Sequence, residues 1–574
     1  MSESDEPTAD QPTAGEPSAE EPTAELNVDE PSADEPSAAE KPDVLDSDTA
    51  PGVEPEPRRR SGRRTAAIVA GAVVGLGAIG GAAALASWYF LDGPQAAEAL
   101  PDSTIAYVQV NLDPSGDQKI EALKTLKKFP AFEDKLDLDA TDDIRKTLFE
   151  QLQEDGTCPG LDYDKDIAPW LGDRLAAALV DEGDAVAKSV LVVQITDEGK
   201  AKTGLDKLMA CPKTEDSGLP STDEKPGGFV VDGDWAVIAE TEDVAKQVVD
   251  DTDNGTLADD EDYQHWTDEA GDDGILTIYA APGSGEQLAT FFAGDEALDE
   301  MSGMESSGAA SDLVKKFEGA AAKVRFSDGD VEIEFAGKFA QTELSKRMTG
   351  DKGGDVVETL PDDTALAIGA AFEPGWFQPL MDQLAPQISE GLTGEDLVTE
   401  AETETGLELP EDAETLAGDS FALAVSSDFD VEKFVNSGDT SSLGVGVKVE
   451  GCAVDIEGVL GKLRTTVGDP SALESKTEGD YVAFGPDQGW VDQLSEDGNL
   501  GDTDTYREVL PDADRASSLF FLNVDAGDDW LVRMLHAGGA PDDVVDNVRP
   551  LSALGVASWT EDDITHATVK LTTD

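Results

Sequence analysis

The 574-residue chain carries 124 acidic against 40 basic residues, a formal net charge of -84, with 39% hydrophobic and 6% aromatic residues. A field this negative repels a phosphate backbone, which excludes nucleic acid as a partner. Three cysteines and three histidines also exclude a disulfide-dense scaffold and argue against a thiolate or imidazole metal cage.

Residues 1–57 hold eighteen acids and one base, Lys41, with prolines five apart at Pro7, Pro12, Pro17 and Pro22. Such a segment has too little apolar surface to offset its ordering entropy, and like charges keep it extended. Residues 1–64 therefore read as a disordered, acidic, Pro-rich cytoplasmic tail that ends in an arginine cluster. Thr8, Thr13, Ser18 and Thr23 lie among the acids, so a phosphorylated signalling or scaffold element stands beside the plain spacer reading.

Arg58, Arg59, Arg60, Arg63 and Arg64 precede residues 65–91, a run of 27 residues without Asp, Glu, Lys, Arg or His. About 20 helical residues cross a bilayer's hydrocarbon core. Trp88-Tyr89-Phe90 closes the run with rings suited to the interface, and positive charge stays on the cytoplasmic side. The pattern predicts one transmembrane helix in the cell membrane, with the N-terminus cytoplasmic, residues 92–574 extracytoplasmic and membrane lipid as a partner. A cleaved signal at Ala84-Leu85-Ala86 competes with this reading, but the polar leader and the 27-residue run both exceed normal signal design. A twin-arginine signal at Arg63-Arg64 lacks the large apolar residue after the pair. Within the run, Gly71 with Gly75 and Gly77 with Gly81 have GxxxG spacing, which lets two helices approach closely enough for a homodimer. The Gly/Ala composition of the run also produces such spacing by itself.

Beyond residue 91 the composition is globular and the chain repeats itself. Leu100-Pro101-Asp102-Ser103-Thr104 returns as Leu360-Pro361-Asp362-Asp363-Thr364, and Trp170-Leu171-Gly172-Asp173 as Leu416-Ala417-Gly418-Asp419. Leu257 to Tyr263 returns as Leu500 to Tyr506, and the Phe326-Ser327-Asp328-Gly329 hairpin as Trp559-Thr560-Glu561-Asp562. Order is kept while the offset drifts from 260 through 246 and 243 to 233. Two similar α+β domains follow, 92–355 and 356–574, as a pair related by a pseudo-twofold axis. In the first, strands at 190–196, 229–231, 235–239 and 275–279 alternate with helices at 200–209 and 244–249. This β-α-β-β-α-β series, with its Asp232-Gly233-Asp234 turn, fits an antiparallel ferredoxin-like unit with helices on one face. The matching first hairpin strand of the second copy is poorly marked.

No catalytic motif emerges. His265, His536 and His566 are far apart in sequence, and there is no HExxH, no GxSxG, no Walker loop and no GxGxxG that opens a helix after a strand. Asp137-Leu138-Asp139-Ala140-Thr141-Asp142 and Asp251-Thr252-Asp253-Asn254-Gly255 are acidic loops that miss the EF-hand glycine position. Outside the membrane a Cys158–Cys211 bridge is the natural pairing, contributing about 3–4 kcal/mol, with Cys452 left over either buried or linking two chains. Trp170, Trp235, Trp266, Trp376, Trp490, Trp530 and Trp559 read as core aromatics.

The run from Leu100 to Phe129, with Ala168-Pro169-Trp170-Leu171-Gly172-Asp173-Arg174 and Asp232-Gly233-Asp234-Trp235-Ala236, resembles a known family. It is similar to the actinobacterial membrane-anchored proteins catalogued as domain of unknown function 3352. The resemblance implies a high-GC Gram-positive source, a cell-envelope location and cysteines at the positions of Cys158 and Cys211. It implies no activity, substrate or catalytic residue. The expectation is a non-enzymatic binding or scaffolding protein with paired outer domains, no cofactor and an unidentified envelope ligand. A carboxylate-based extracytoplasmic hydrolase is the alternative.

Overall fold

The computed structural model describes residues 95–111, 117–133, 143–154, 158, 160–183, 187–211, 227–292, 317–327, 329–348, 350–389, 391–428, 444–467, 473–527, 530–537 and 539–574. Contacts divide the chain into Met1–Arg58 and Arg59–Asp574, and every described residue belongs to the second unit. The acidic tail, the arginine cluster, the 65–91 run with its four glycines and the acidic loop at 137–142 lie outside the described residues. Among the described residues no helix is long and apolar enough to cross a membrane.

Among the described residues the first copy contributes eight strands: β1 (Thr104–Asn111), β2 (Leu171–Val180), β3 (Lys188–Ile195), β4 (Gly228–Asp232), β5 (Trp235–Ala239), β6 (Leu276–Ala280), β7 (Ala320–Ser327) and β8 (Asp330–Gly337). Its main helices are α1 (Asp117–Leu126), α2 (Glu198–Met209), α3 (Glu242–Asp251) and α4 (Glu261–Glu269). The second copy repeats the order with β9 (Thr364–Ala370), β10 (Ser420–Ser426), β11 (Val445–Glu450), β12 (Glu474–Glu478), β13 (Tyr481–Gly485), β14 (Ser518–Asn523), β15 (Leu551–Glu561) and β16 (Ile564–Thr573). The helices that matter there are α5 (Asp355–Glu358), α6 (Ala453–Val467), α7 (Gln488–Leu494), α8 (Asp504–Val509) and α9 (Trp530–Ala537). Local signals set these boundaries. The Thr241 hydroxyl accepts the Val244 N–H at the start of α3, and the Asp487 carboxylate accepts the Gly489 and Trp490 N–H groups at the start of α7.

The sixteen strands of the described residues form one antiparallel sheet, in the order β12-β13-β11-β10-β9-β14-β15-β16-β8-β7-β6-β1-β2-β3-β5-β4. Each half reads identically outward from the centre, so the copies meet at β8 and β16 about a pseudo-twofold axis. There Ile333 faces Val569 and Glu334 faces Thr568. The expected pair of domains thus forms two halves of one sheet. This joint removes two strand edges that would otherwise present unpaired backbone groups. It also corrects one repeat alignment. Ser327 pairs with Asp330 and Glu561 with Ile564 across the two hairpins, so the local offset is 234 and the motif match is one residue out.

The expected ferredoxin-like unit is not what forms. In sheet order β4, β5 and β3 are adjacent, but β2 and β1 stand between β3 and β6. The two helices also lie on opposite faces. Ala201 and Leu205 of α2 pack with Val193, Ile195 and Ala236, whereas Ala245 and Val248 of α3 pack with Val190, Val192 and Val237. Successive strand residues point to opposite faces, so Val192 and Val193 serve different layers. The second copy behaves alike, with α6 on Val449 and Val482 and α7 on Ala422, Ala424 and Ala483. β2 carries buried Ala176, Ala177, Ala178 and Leu179 in succession, the pattern of a central strand covered on both faces.

Both copies cover one sheet face with short helices over large apolar clusters, which include Tyr107, Tyr279 and Trp266 in the first and Phe521, Tyr506 and Trp559 in the second. The other face is covered by α1 at Val110, Val324 and Phe326 and by α9 at Ala365 and Leu522. Matching ladders equate Tyr107 with Ala367, Ala178 with Ala424, Val192 with Lys448 and Trp235 with Tyr481.

Candidate functional site

Cys158 and Cys211 are joined by a disulfide, with Cα atoms 5.2 Å apart. This ties the segment before the Tyr163–Ile167 turn to the end of α2. Cys452 is free and exposed at the start of α6, which removes the buried one of its two expected states. Among the described residues six of the seven tryptophans are in the core, and Trp376 is half-buried, stacked on Phe372 with centroids 4.5 Å apart. The Asp251–Gly255 loop forms the end of α3 and a 3-10 turn. Among the described residues no group of three or more His, Cys, Asp or Glu side chains could hold a metal ion.

Folding brings together residues that sequence keeps far apart at the junction of the copies. Glu269 lies 3.9 Å from His265 and 3.9 Å from His566, beyond hydrogen-bond range of either. His566 stacks on Trp559, and burial holds its pKa below the usual value. Arg515 lies over the Trp559 ring and pairs with Glu561 at 2.6 Å, while the Thr568 hydroxyl donates to Asp512. Arg515 with Glu561 and Thr568 with Asp512 are paired within this cluster, which forms part of the seam between halves, while the buried Trp559 indole N–H has no hydrogen-bond partner.

A cavity of about 510 Å³ opens in the second copy beside α5, the turn at 498–502 and α8. Glu358 comes from α5, and Gly501 allows it to lie close, because a Cβ there would stand 2.8 Å from the Glu358 Cβ. Tyr506 follows the Thr503 cap of α8. It is 2% exposed, and its phenol oxygen has no hydrogen-bond partner. Arg507 is bound by Asp502, and Asn499 and Asp514 complete the polar lining. Burial raises the Glu358 carboxyl above its usual range, and the charges of Asp355, Asp514 and Asp502 push it further. Burial likewise raises the Tyr506 phenol, with Glu358 the charge that adds to it.

Directly beneath lies Lys448, fully buried on β11. Its ammonium donates to the Thr359 and Glu496 carbonyls, both at 2.8 Å, and lies 4.7 Å from the Tyr481 ring centroid. Those carbonyls follow the ends of α5 and α7, where helix dipoles favour a cation. Burial lowers the Lys448 pKa to about 8 against the opposing pull of Asp497 and Glu478. The sequence carries a signal for this placement: in Val445–Glu450 the strand alternation puts Lys448 on the same face as Gly446, toward the core. The Leu500 to Tyr506 repeat marks this turn as duplicated without marking the cavity.

Three carboxylates line the cavity against one guanidinium already paired with one of them, a field that repels anions. A buried phenol, a carboxyl that takes up a proton readily and an amide suit a neutral polyhydroxylated or a cationic ligand. No curated protein and no solved structure matches the chain at a significant level. A family model does match, over residues 66–440, from within the apolar run through the whole first copy and into the second. The chain belongs to the family described as Protein of unknown function (DUF3352).

Proposed function

We propose that this chain is a single-pass cell-envelope protein that binds or scaffolds without catalysis, its tail cytoplasmic and its duplicated sheet extracytoplasmic. The observation that carries the binding reading is the second-copy cavity. Glu358, Asn499 and Asp514 line it and Tyr506, whose buried phenol oxygen has no partner, forms part of its wall, yet none of the residues lining it is a Ser, Cys, His or Lys that could form a nucleophile–base pair. A continuous sixteen-stranded sheet supplies a broad support for such a site. The five arginines before the 27-residue apolar run support the topology. Gly71, Gly75, Gly77 and Gly81 support a homodimer through the transmembrane helix. Native mass spectrometry of the full-length protein from its own membranes tests the binding reading. A ligand that stays with the wild type and leaves Tyr506→Phe supports it, and equal retention by both refutes it.

Glu358 favours a second reading. A carboxyl raised by burial and by three acidic neighbours could protonate a leaving group, as the hydrolase alternative needs. Glycoside and ester turnover by wild type and Glu358→Gln separates the two. Turnover lost only in the variant would establish the enzyme, and none in either favours the binder.

A further inference from the structure

The first copy has a cavity of about 220 Å³ where the second copy keeps the Lys448 ammonium. The equivalence follows from the ladders. Val192 takes the place of Lys448, and its partner Val237 the place of Ala483. Trp235 stands for Tyr481, whose ring the ammonium approaches, and Asp232 pairs with Trp235 as Glu478 does with Tyr481. Ala99, 260 residues before Thr359, is the counterpart of the residue whose carbonyl the ammonium meets, and Glu98 that of Glu358. Glu98, Ala99, Asp232, Asp234, Trp235 and Val237 all line the first-copy cavity, and none of its lining residues is basic.

The second copy therefore shows what this place in the fold accommodates: a primary ammonium on an alkyl stem, held by carbonyls, an aromatic face and flanking acids. The first copy keeps the aromatic ring and the acids but replaces the lysine with the shorter Val192, which cannot reach. Tryptophan is the strongest cation–π partner among the side chains, so the exchange of Tyr481 for Trp235 favours the same guest. We infer that the first-copy cavity binds a primary alkylammonium group supplied from outside the chain, either a small free amine or a lysyl side chain. This site lies in the other half of the sheet and stands whether or not the Glu358–Tyr506 cavity binds anything.

Calorimetric titration of the full-length protein in detergent, at matched ionic strength, tests it. The probes are n-butylammonium, Nα-acetyl-lysine amide and the uncharged isostere n-butanol. One saturable site per chain is expected for an ammonium probe, with Kd roughly millimolar, and none for n-butanol. Asp232→Asn with Asp234→Asn, both exposed, should weaken binding about tenfold without changing the fold. Val192→Lys should fill the cavity from within and abolish binding. If that variant does not fold, the double asparagine variant alone decides. Binding of either ammonium probe supports the site, and the preferred probe tells a small amine from a lysyl chain. No saturable binding, equal binding of n-butanol, or undiminished affinity in the asparagine variant overturns the inference.

Discussion

Lys448→Met isolates the contribution of one buried charge. The ammonium is fully buried and has a pKa near 8, against 10.5 for a free lysine. A tenfold change in proton affinity corresponds to about 1.4 kcal/mol, so keeping the charged form inside costs ~3 kcal/mol relative to the unfolded chain. Between pH 8 and 10.5 the unfolded chain binds more protons at this residue than the folded one. Stability therefore rises with pH across that window, and the full cost applies below it. The variant loses two charge-assisted hydrogen bonds, but the Thr359 carbonyl still accepts the Gly498 N–H, and Val192 shows that the same rung tolerates an aliphatic side chain. At about pH 7.5 the variant should lie within about 2 kcal/mol of wild type. Urea denaturation of both proteins from about pH 7.5 to about pH 10 measures the difference between them. Subtraction cancels the tyrosines whose phenols are raised by burial, which contribute stability below pH 10 and lose it above. The difference should move in favour of the wild type by about 2 kcal/mol as pH rises. Parallel curves would refute the reasoning and mean that Lys448 is not proton-linked to folding.

The other predictions concern the cavity, the seam, the bridge and the anchor. Gly501→Val should displace Glu358 and empty the second-copy cavity of any co-purifying ligand while lowering stability by about 1–3 kcal/mol, as thermal melting and native mass spectrometry would show. Val569→Asp puts a charge opposite Ile333 where the halves join, and it should cost about 2–3 kcal/mol and split one unfolding transition into two. An unchanged single transition would mean that the seam does not couple the halves. Cys158→Ser with Cys211→Ser should lose about 3–4 kcal/mol in urea denaturation, and reductant should then make no further difference. Gly75→Ile with Gly81→Ile should remove cross-linked dimers from membranes, and an unchanged cross-linking pattern would end the proposal of a helix-mediated dimer.

Much of the fold is legible where local pattern decides it. The alternation in Thr104–Asn111, the Asp-Gly turn before Trp235 and the paired Leu-Pro-Asp motifs all correspond to real elements. Strand order is not legible, because β2 is small and apolar on both faces and gives no sign of which neighbours it separates. β12, Glu-Ser-Lys-Thr-Glu, lacks the strand pattern because it is an outer edge, where charge protects the sheet and erases the apolar signal. The opposite placement of α2 and α3 depends on whether a helix follows an odd or an even strand residue, a parity that period alone leaves open. The Glu358–Tyr506 cavity draws on residues almost 150 apart and on a glycine, none of which has a motif. The place of Lys448 is recoverable from one inward-facing lysine in an apolar strand, the kind of conflict between pattern and residue that marks a special position.

The side of the membrane that the duplicated sheet occupies decides what it can bind. Protease added to intact, wall-stripped cells, followed by immunoblotting for each end of the chain, tests this directly. The epitope at Asp574 should be lost or shed while the acidic tail before Arg58 survives on a membrane-bound fragment. Digestion of the tail with the Asp574 end protected, or recovery of the whole chain in the cytosol, would contradict it.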